Sequence, residues 1–327
     1  MASRYPLDVQ VVPDKLSVQV HRHEVPFFEP VPCWTYISNG LWAHKQREVV
    51  ITLRQDPQED RDESPEFALH IIRNIYNLAV QGKLVHTWGY SNFMLMAPKQ
   101  GKGVAFNTAY LYPLPLPGIQ LPEQALTVIF MNPDDYNVFQ AFGLSRWVAA
   151  RGNHYRYYPC PPWSEFPQPK IVSLEKMEGS ILGKMARIHL QGSTVTKEGD
   201  DIILRLQPQG RQILEKQLAK FPPEQPLALL PELDPKANAC LFWLPEKNAT
   251  GVNVPPKSDL SRMAGCFVAF VPGQAQSLAR VFEDGFAVLG TTDLWAQIRE
   301  AMLSAQAITV PTKGKIKRFR LEHVPSA

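Results

Sequence analysis

The chain has 327 residues and a formal net charge of +3, because 34 lysines and arginines face 31 aspartates and glutamates. Hydrophobic residues make up 45% of the sequence and charged residues 20%, which are the proportions of a globular protein and exclude wholesale disorder. So small a net charge gives no reason to expect nucleic acid or an anionic membrane as a partner. The length favours about two domains, each large enough to bury a core.

Cysteine content and hydropathy bear on the compartment. The four cysteines, Cys33, Cys160, Cys240 and Cys266, form no Cys-x-x-Cys pair, so the spacing typical of zinc sites is absent from the sequence. A long chain with so few cysteines is typical of a reduced, intracellular protein. The apolar runs are far shorter than the ~20 residues of a membrane span, and the N-terminal residues lack the pattern of a signal peptide. The sequence therefore predicts a cytoplasmic protein with no membrane insertion, metal or cofactor.

The first elements can be predicted in chain order. Prolines punctuate residues 1–33, which predicts an extended N-terminal arm. Residues 48–53 are β-branched and bounded by charge, so we expect a strand. A helix is predicted at residues 64–82, with Ser64 as its cap and Gly82 at its end. Its apolar residues recur with the helical period and should pack on the sheet; they are Ala68, Ile71, Ile72, Ile75, Leu78 and Ala79.

Two more strands are predicted at residues 104–110 and 126–131, where β-branched and aromatic residues are frequent. A helix should begin after Asn132, which is followed by a proline and two aspartates. A second, short helix is expected at residues 145–150.

A domain boundary is indicated by residues 159–169, which contain five prolines. We therefore expect a first α+β domain at residues 1–165 and a second at residues 166–327. Strands and helices do not alternate strictly in either half, which favours largely antiparallel or mixed sheets. In the second half, strands are predicted at 186–190, 202–206, 239–244, 265–271 and 285–289, and helices at 211–220 and 293–303, the latter capped by Thr292.

The sequence contains no standard catalytic motif, since neither a nucleotide-binding loop nor a G-x-S-x-G elbow is present. His21 and His23 alternate on an extended segment and could ligate a metal, but such a site needs three or four ligands and histidine pairs are more often solvated. His86 could serve as the base for a Cys33 or Cys160 nucleophile. A core histidine bonded to the backbone is the simpler interpretation, because a base must lie within hydrogen-bond reach of its nucleophile.

The densest aromatic cluster is Tyr155-Arg-Tyr-Tyr158, and prolines follow it directly. Tyrosine and arginine often anchor protein interfaces, because they offer a large contact area and fixed donors at modest entropic cost. Aromatic residues also favour strands, so a half-buried strand is the alternative. The candidate interaction surface comprises Tyr155, Arg156, Tyr157, Tyr158 and Trp163.

A second aromatic stretch precedes the first predicted strand and contains the turn signal Asn39-Gly40. Its bulky residues suit packing beneath the long helix, so we expect an architectural role. The candidate structural motif comprises Trp34, Ile37, Gly40, Leu41 and Trp42.

Three stretches of the sequence suggest a family when taken together. Trp34–His44 reads WTYISNGLWAH, Tyr155–Pro161 reads YRYYPCP and Phe282–Val288 reads FEDGFAV. In this order they resemble the C-terminal domain family of Smad anchor for receptor activation and endofin, over about residues 30–310. The first half is also similar to the suppressor of fused domain, which has an aromatic-Tyr-Ile-Ser-x-Gly-Leu opening, a strand and a long helix.

The resemblance implies a non-enzymatic domain for protein–protein scaffolding, with a suppressor-of-fused-like first domain and no catalytic residues to transfer. Smad binding and endosomal location are not implied, because four scattered cysteines cannot form the cysteine-rich finger of the animal proteins and no Smad-binding segment is apparent. In bacteria, suppressor-of-fused-like proteins include immunity partners that bind toxins. A toxin-binding immunity protein is therefore one concrete form of the binding hypothesis.

Two functions follow from the sequence. The first is a protein-interaction or scaffold module with an unknown protein partner. The alternative is a hydrolase of unknown substrate, with a site in an interdomain cleft around His86 and Cys160.

Overall fold

The computed structural model describes residues 5–56, 63–96, 103–166 and 168–325 and shows a mixed α/β chain with two sheets of mixed strand orientation. The chain divides into two compact units. The first comprises Met1–Tyr136 and Pro162–Lys170, and the second comprises Asn137–Pro161 and Ile171–Ala327. The chain thus leaves the first unit and later returns to it, and residue 165, where the sequence places a boundary, lies in the returning segment.

The described part of the first unit contains a seven-stranded sheet. Its strands are β1 (Leu7–Val12), β2 (Leu16–Val25), β3 (Val31–Asn39), β4 (Val49–Arg54), β5 (Tyr90–Met96), β6 (Gly103–Leu111) and β7 (Leu126–Met131). They lie in the order β1-β2-β3-β4-β7-β6-β5. The β4–β7 pair is parallel and the other neighbours are antiparallel.

One face of this sheet is covered by helix α1 (Phe67–Val80). Five of the six residues predicted to form its apolar face are buried, whereas Leu78 is only partly buried. Four of the five buried residues, all except Ala79, pack in one cluster with alternate residues of the strands, such as Val18 and Val20 of β2 and Trp34 of β3. Because side chains alternate across a strand, the residues between these point to the opposite face of the sheet.

The N-terminal residues differ from the prediction of an arm. Residues 7–25 lie within the sheet as β1 and β2, and β2 pairs with β3 over its whole length, from Ser17 opposite Asn39 to Val25 opposite Val31. Prolines did not prevent this pairing, because within residues 7–25 the only one, Pro13, occupies the turn between the two strands.

The returning segment 162–170 completes the first sheet around Ser164. The backbone N–H of Ser164 donates to the carbonyl of Thr52 and its carbonyl accepts from the N–H of Arg54, both over 2.8 Å. Its hydroxyl oxygen accepts a hydrogen bond of 2.9 Å from the N–H of Phe130. This segment therefore satisfies backbone groups at the ends of β4 and β7.

The second unit is built on an eleven-stranded sheet in its described residues. Its strands are β8 (Ala186–Glu198), β9 (Asp201–Leu206), β10 (Leu227–Glu232), β11 (Ala239–Leu244), β12 (Ala249–Asn253), β13 (Arg262–Ala264), β14 (Val268–Val271), β15 (Leu278–Phe282), β16 (Gly285–Leu289), β17 (Ile308–Pro311) and β18 (Arg318–His323). The main path runs β12-β11-β13-β8-β10-β14-β16-β15, and β9, β18 and β17 branch from β8. Parallel and antiparallel pairs are mixed, as in the β10–β8 and β10–β14 pairs.

The remaining helices are α2 (Pro133–Phe142), α3 (Leu144–Tyr155), α4 (Leu174–Glu178), α5 (Pro208–Gln217) and α6 (Thr292–Ser304). Short 3-10 turns lie at Ile181–Lys184, Leu218–Lys220 and Pro245–Lys247. In α6, Ile298 and Met302 lie one helical turn apart and are buried in the core of the second unit, and Leu294 packs against that core while remaining partly exposed. The cap differs by one residue, because the hydroxyl of Thr291, and not that of Thr292, accepts the 3.1 Å hydrogen bond from the N–H of Leu294.

Candidate functional site

An open groove of about 730 Å³ lies in the first unit, on the sheet face opposite α1. Its floor is a row of cross-strand neighbours, in which Asp8 of β1 is opposite Gln19 of β2 and Gln19 is opposite Ile37 of β3. The next pair, Ser17 and Asn39, extends the floor. The floor thus presents short polar side chains around one isoleucine. We call this cavity the Trp42 groove, after a residue of its wall.

One wall of the groove is a 3-10 turn at Leu41–His44, in which Trp42 is 53% exposed. The turn begins at Gly40, whose φ of 126° lies in the region that favours glycine. A Cβ at Gly40 would lie 2.2 Å from the carbonyl oxygen of Lys15, so no other residue fits without moving the backbone. The local sequence therefore fixes the position of the tryptophan.

The buried carboxylate of Glu48 stabilises the same turn through hydrogen bonds to its backbone. Its Oε1 accepts hydrogen bonds from the N–H groups of Gly40 and Trp42, at 3.0 and 3.2 Å, and its Oε2 accepts from the hydroxyl of Ser38 at 2.5 Å. Glu48 is 5% exposed, so these bonds replace the water that its charge requires. These bonds fix the backbone that carries the exposed indole of Trp42.

The opposite wall is the segment 120–124. The guanidinium of Arg47 fastens it, because its Nε donates to the carbonyl of Gln124 and its Nη2 donates to the carbonyl of Ala125. Burial lowers the pKa of Arg47 from its ordinary value. The arginine is directed at backbone oxygens and is not among the side chains that line the groove.

The lining of the groove is acidic. Asp8, Glu48 and Glu123 contribute three carboxyl groups, and the described residues that form the lining include no lysine, arginine or histidine. Asp8 and Glu123 are exposed, so their charges face solvent within the groove. The arrangement suits a ligand that carries positive charge.

The predicted structural motif is divided between the core and this groove. Trp34 and Leu41 are fully buried, and Ile37 is 6% exposed on the floor of the groove. Trp42 does not pack beneath α1 as its bulk led us to expect. The turn at Gly40 directs it outwards, and alternation along β3 could not reveal this because Trp42 lies beyond the end of the strand.

The predicted interaction surface does not form one exposed aromatic patch. Tyr155 is the last residue of α3, and Arg156 follows as its left-handed cap with a φ of 55°, so this part of the cluster ends a helix and does not form a strand. Of the predicted set only Arg156 is exposed, and Trp163 is a buried residue of the first unit, with its ring 6.1 Å from that of Phe27. The hydroxyl of Tyr158 donates to the carbonyl of Ala237 within the second unit.

Sequence reasoning missed a buried ionic cluster in the second unit. Arg146 of α3 is 1% exposed and donates from Nε to Asp284 at 2.7 Å, from Nη2 to Glu283 at 2.8 Å and from Nη1 to Ser180 at 2.9 Å. Although burial favours its neutral form, Asp284 and Glu283 raise the pKa of Arg146. The rings of three aromatic residues also lie within 6 Å of its guanidinium, namely Phe142, Trp243 and Phe267.

This cluster is structural in character, because its charges are paired and enclosed. It draws on two of the stretches singled out in the sequence. Glu283 and Asp284 are the acidic residues of the FEDGFAV stretch, and α3 ends in the YRYYPCP stretch. Both stretches therefore belong to the framework of the second unit.

The residues proposed for a hydrolase do not present a reactive thiol. His86 belongs to the first unit and is exposed, whereas Cys160 belongs to the second unit and is fully buried. Burial raises the pKa of Cys160 to about 12, and it does the same for Cys33. A protonated, enclosed thiol is a poor nucleophile.

The two histidines of β2 bond to neutral side chains. His21 Nε2 lies 2.8 Å from Oε1 of Gln19, and His23 Nε2 lies 2.8 Å from the hydroxyl of Thr35. Burial lowers the pKa of both histidines. Across the ranges of the chain that the structure describes, no group of three or more His, Cys, Asp or Glu side chains is placed to hold a metal ion.

Comparison with known proteins adds no further assignment. No protein-family model matches the chain, and no curated protein matches it. Among the helices in the described ranges, none has the length and apolar character that crossing a membrane requires.

The groove itself was not predicted from the sequence. One signal was present, because Ser17, Gln19 and His21 alternate with Leu16, Val18 and Val20 along β2 and mark a polar sheet face. The walls come from segments far apart in the chain, at Leu41–His44 and 120–124, and only the tertiary structure brings them together.

Proposed function

We propose that this chain is a non-enzymatic protein-binding module and that the Trp42 groove receives a segment of its partner. The observation that carries the proposal is an exposed tryptophan on a rigid wall of an open groove. Trp42 is 53% exposed, although its backbone N–H is bonded to a buried carboxylate. Tryptophans at interfaces often contribute most of the binding energy, and a fixed backbone lowers the entropy lost on docking.

The form of the groove favours a chain segment over a small molecule. Small-molecule sites are concave and mostly apolar, and they enclose most of the ligand. The floor here is polar and open, with Ser17, Gln19 and Asn39 available to hydrogen-bond a partner's backbone. The resemblance to a scaffold family supports the same class of function.

The burial of Cys160 favours binding over the hydrolase hypothesis. Cys160 has no exposed surface and its pKa is raised by burial, so a substrate would meet neither the sulfur atom nor a thiolate. Trp42 and the floor of the groove are accessible.

The proposal predicts that Trp42→Ala loses the partner without losing stability. In affinity capture from a lysate of the source organism, the bound partner should fall about 30-fold, which corresponds to a hot-spot loss of about 2 kcal/mol. The free energy of unfolding should change by less than about 0.5 kcal/mol, because the side chain is half exposed.

Leu303→Ala is the matched control, since Leu303 is a large hydrophobic residue that is 42% exposed in the second unit. Its captured proteins should equal those of the wild type. If Trp42→Ala retains every captured protein while remaining folded, the groove is not the binding site.

A further inference from the structure

We infer that the partner segment held by the Trp42 groove is cationic, an extended stretch of chain that carries lysine or arginine. The inference rests on the proposed function and names the chemistry of its ligand. It depends on the charge of the lining, on the open face of the tryptophan and on the hydrogen-bonding groups of the floor.

The charge of the groove has one sign. Asp8 stands on β1 at one side and Glu123 on the opposite wall, and both are exposed. Glu48 adds a third, buried carboxylate beneath the turn. A cleft lined by one sign of charge concentrates field lines and attracts the opposite charge. An anionic segment or nucleic acid would meet repulsion here.

The other six tryptophans are at most 8% exposed, so Trp42 alone offers an open ring face to a partner. Four others already carry an arginine guanidinium within 6 Å of the ring, in the pairs Arg22–Trp34, Arg151–Trp147, Arg146–Trp243 and Arg299–Trp295. Within the described residues, no such cation lies over the ring of Trp42. A lysine or arginine of a partner would complete a cation–π contact there, and tryptophan is the best ring for that contact.

The two exposed carboxylates complement this aromatic contact. A guanidinium can bond a carboxylate with two parallel N–H groups, while an ammonium acts as a point charge. An extended segment that crosses the floor can therefore place one cationic side chain on the indole and others beside Asp8 or Glu123. The neutral floor residues Ser17, Gln19 and Asn39 can then form hydrogen bonds with the backbone of the bound segment.

The test is selection from a random 12-residue peptide library displayed on phage, with the intact chain as bait. Four baits are compared. They are the wild type, Trp42→Ala, the double variant Asp8→Asn/Glu123→Gln and the control Glu175→Gln/Glu300→Gln. The control removes two exposed carboxylates outside the groove, so it matches the change in net charge.

We expect the wild type and the control to enrich peptides rich in lysine and arginine, and both groove variants to lose them. A synthetic copy of an enriched peptide should bind each groove variant at least about tenfold more weakly, as for loss of an interface residue that contributes to binding, and bind the control within about twofold of the wild type. Its affinity should fall as salt rises from about 50 to 200 mM, because exposed charges are screened.

Two results would overturn the inference. If peptides depend on Trp42 but show no excess of lysine or arginine, the groove binds a partner of other chemistry, and the proposed function survives without the inference. If no enriched peptide depends on Trp42, both the inference and the proposed function fail.

Discussion

Two tryptophans of the same aromatic stretch have opposite roles. Trp34 lies in the middle of β3 and is fully buried against α1, while Trp42 is 53% exposed on the groove wall. The intervening Gly40 accounts for the difference, because its positive φ turns the chain out of the strand. Trp34 therefore packs in the core, whereas Trp42 forms part of the surface.

This difference gives a prediction about stability. Trp34→Ala should lower the free energy of unfolding by about 3–5 kcal/mol, because it leaves a large cavity in a packed core. The measurement is a urea titration followed by far-UV circular dichroism, with Trp42→Ala as the control for loss of an indole. An unchanged midpoint for Trp34→Ala would show that this indole does not support the core.

Elements with a strong local signal were predicted well. The predicted strand at 126–131 coincides with β7, and the helix at 64–82 contains α1, because a run of β-branched and large apolar residues and a 3.6-residue period are properties of the local sequence. Several strands of the second unit were not predicted. β12 and β13 are short and partly exposed, so their amino-acid composition gives little strand signal. They are strands because β12 pairs with β11 and β13 pairs with β8.

The candidate site was predicted less completely than the fold. Trp42 was singled out by its neighbours in sequence, but its exposure depends on the turn at Gly40 and on the bonds to Glu48. Asp8 and Glu123 carry no local signal, because an acidic residue on a surface is ordinary. Asp8 and Glu123 line one groove only because β1 pairs with β2 and segment 120–124 forms the opposite wall.

The cap of α6 supplies a test at the level of a single element. The Thr291 hydroxyl accepts from the N–H of Leu294, so Thr291→Ala should destabilise the second unit by about 1 kcal/mol. Thr292→Ala should cost less, since that residue is the first of the helix and its hydroxyl has no capping role. Thermal unfolding of both variants makes the comparison, and an equal effect would contradict the assignment of the cap.

The cysteines give the molecule a uniform chemical property. All four are free and buried, as the sequence led us to expect for free thiols. Burial raises the pKa of each thiol above its ordinary value. Because the thiolate is the reactive form and reagent must reach it, the folded chain should be nearly inert to thiol reagents.

Thiol counting can test this across the whole chain. At neutral pH without reductant, the native protein should react with almost no thiol reagent over minutes, and the protein in denaturant should show four reactive groups. Rapid reaction in native conditions would mean that at least one cysteine is accessible. Fewer than four groups after denaturation would mean that some cysteines are oxidised.

The return of segment 162–170 to the first unit has a consequence for the order of synthesis. A ribosome releases β1 to β7 first, but the Ser164 groups that complete the ends of β4 and β7 emerge only after all of α3 has been made. The first unit cannot reach its final hydrogen bonding while its own strands are still the newest part of the nascent chain. Its maturation must wait until residues 137–161, which belong to the second unit, have been made, so its sheet stays unfinished during that stage of translation.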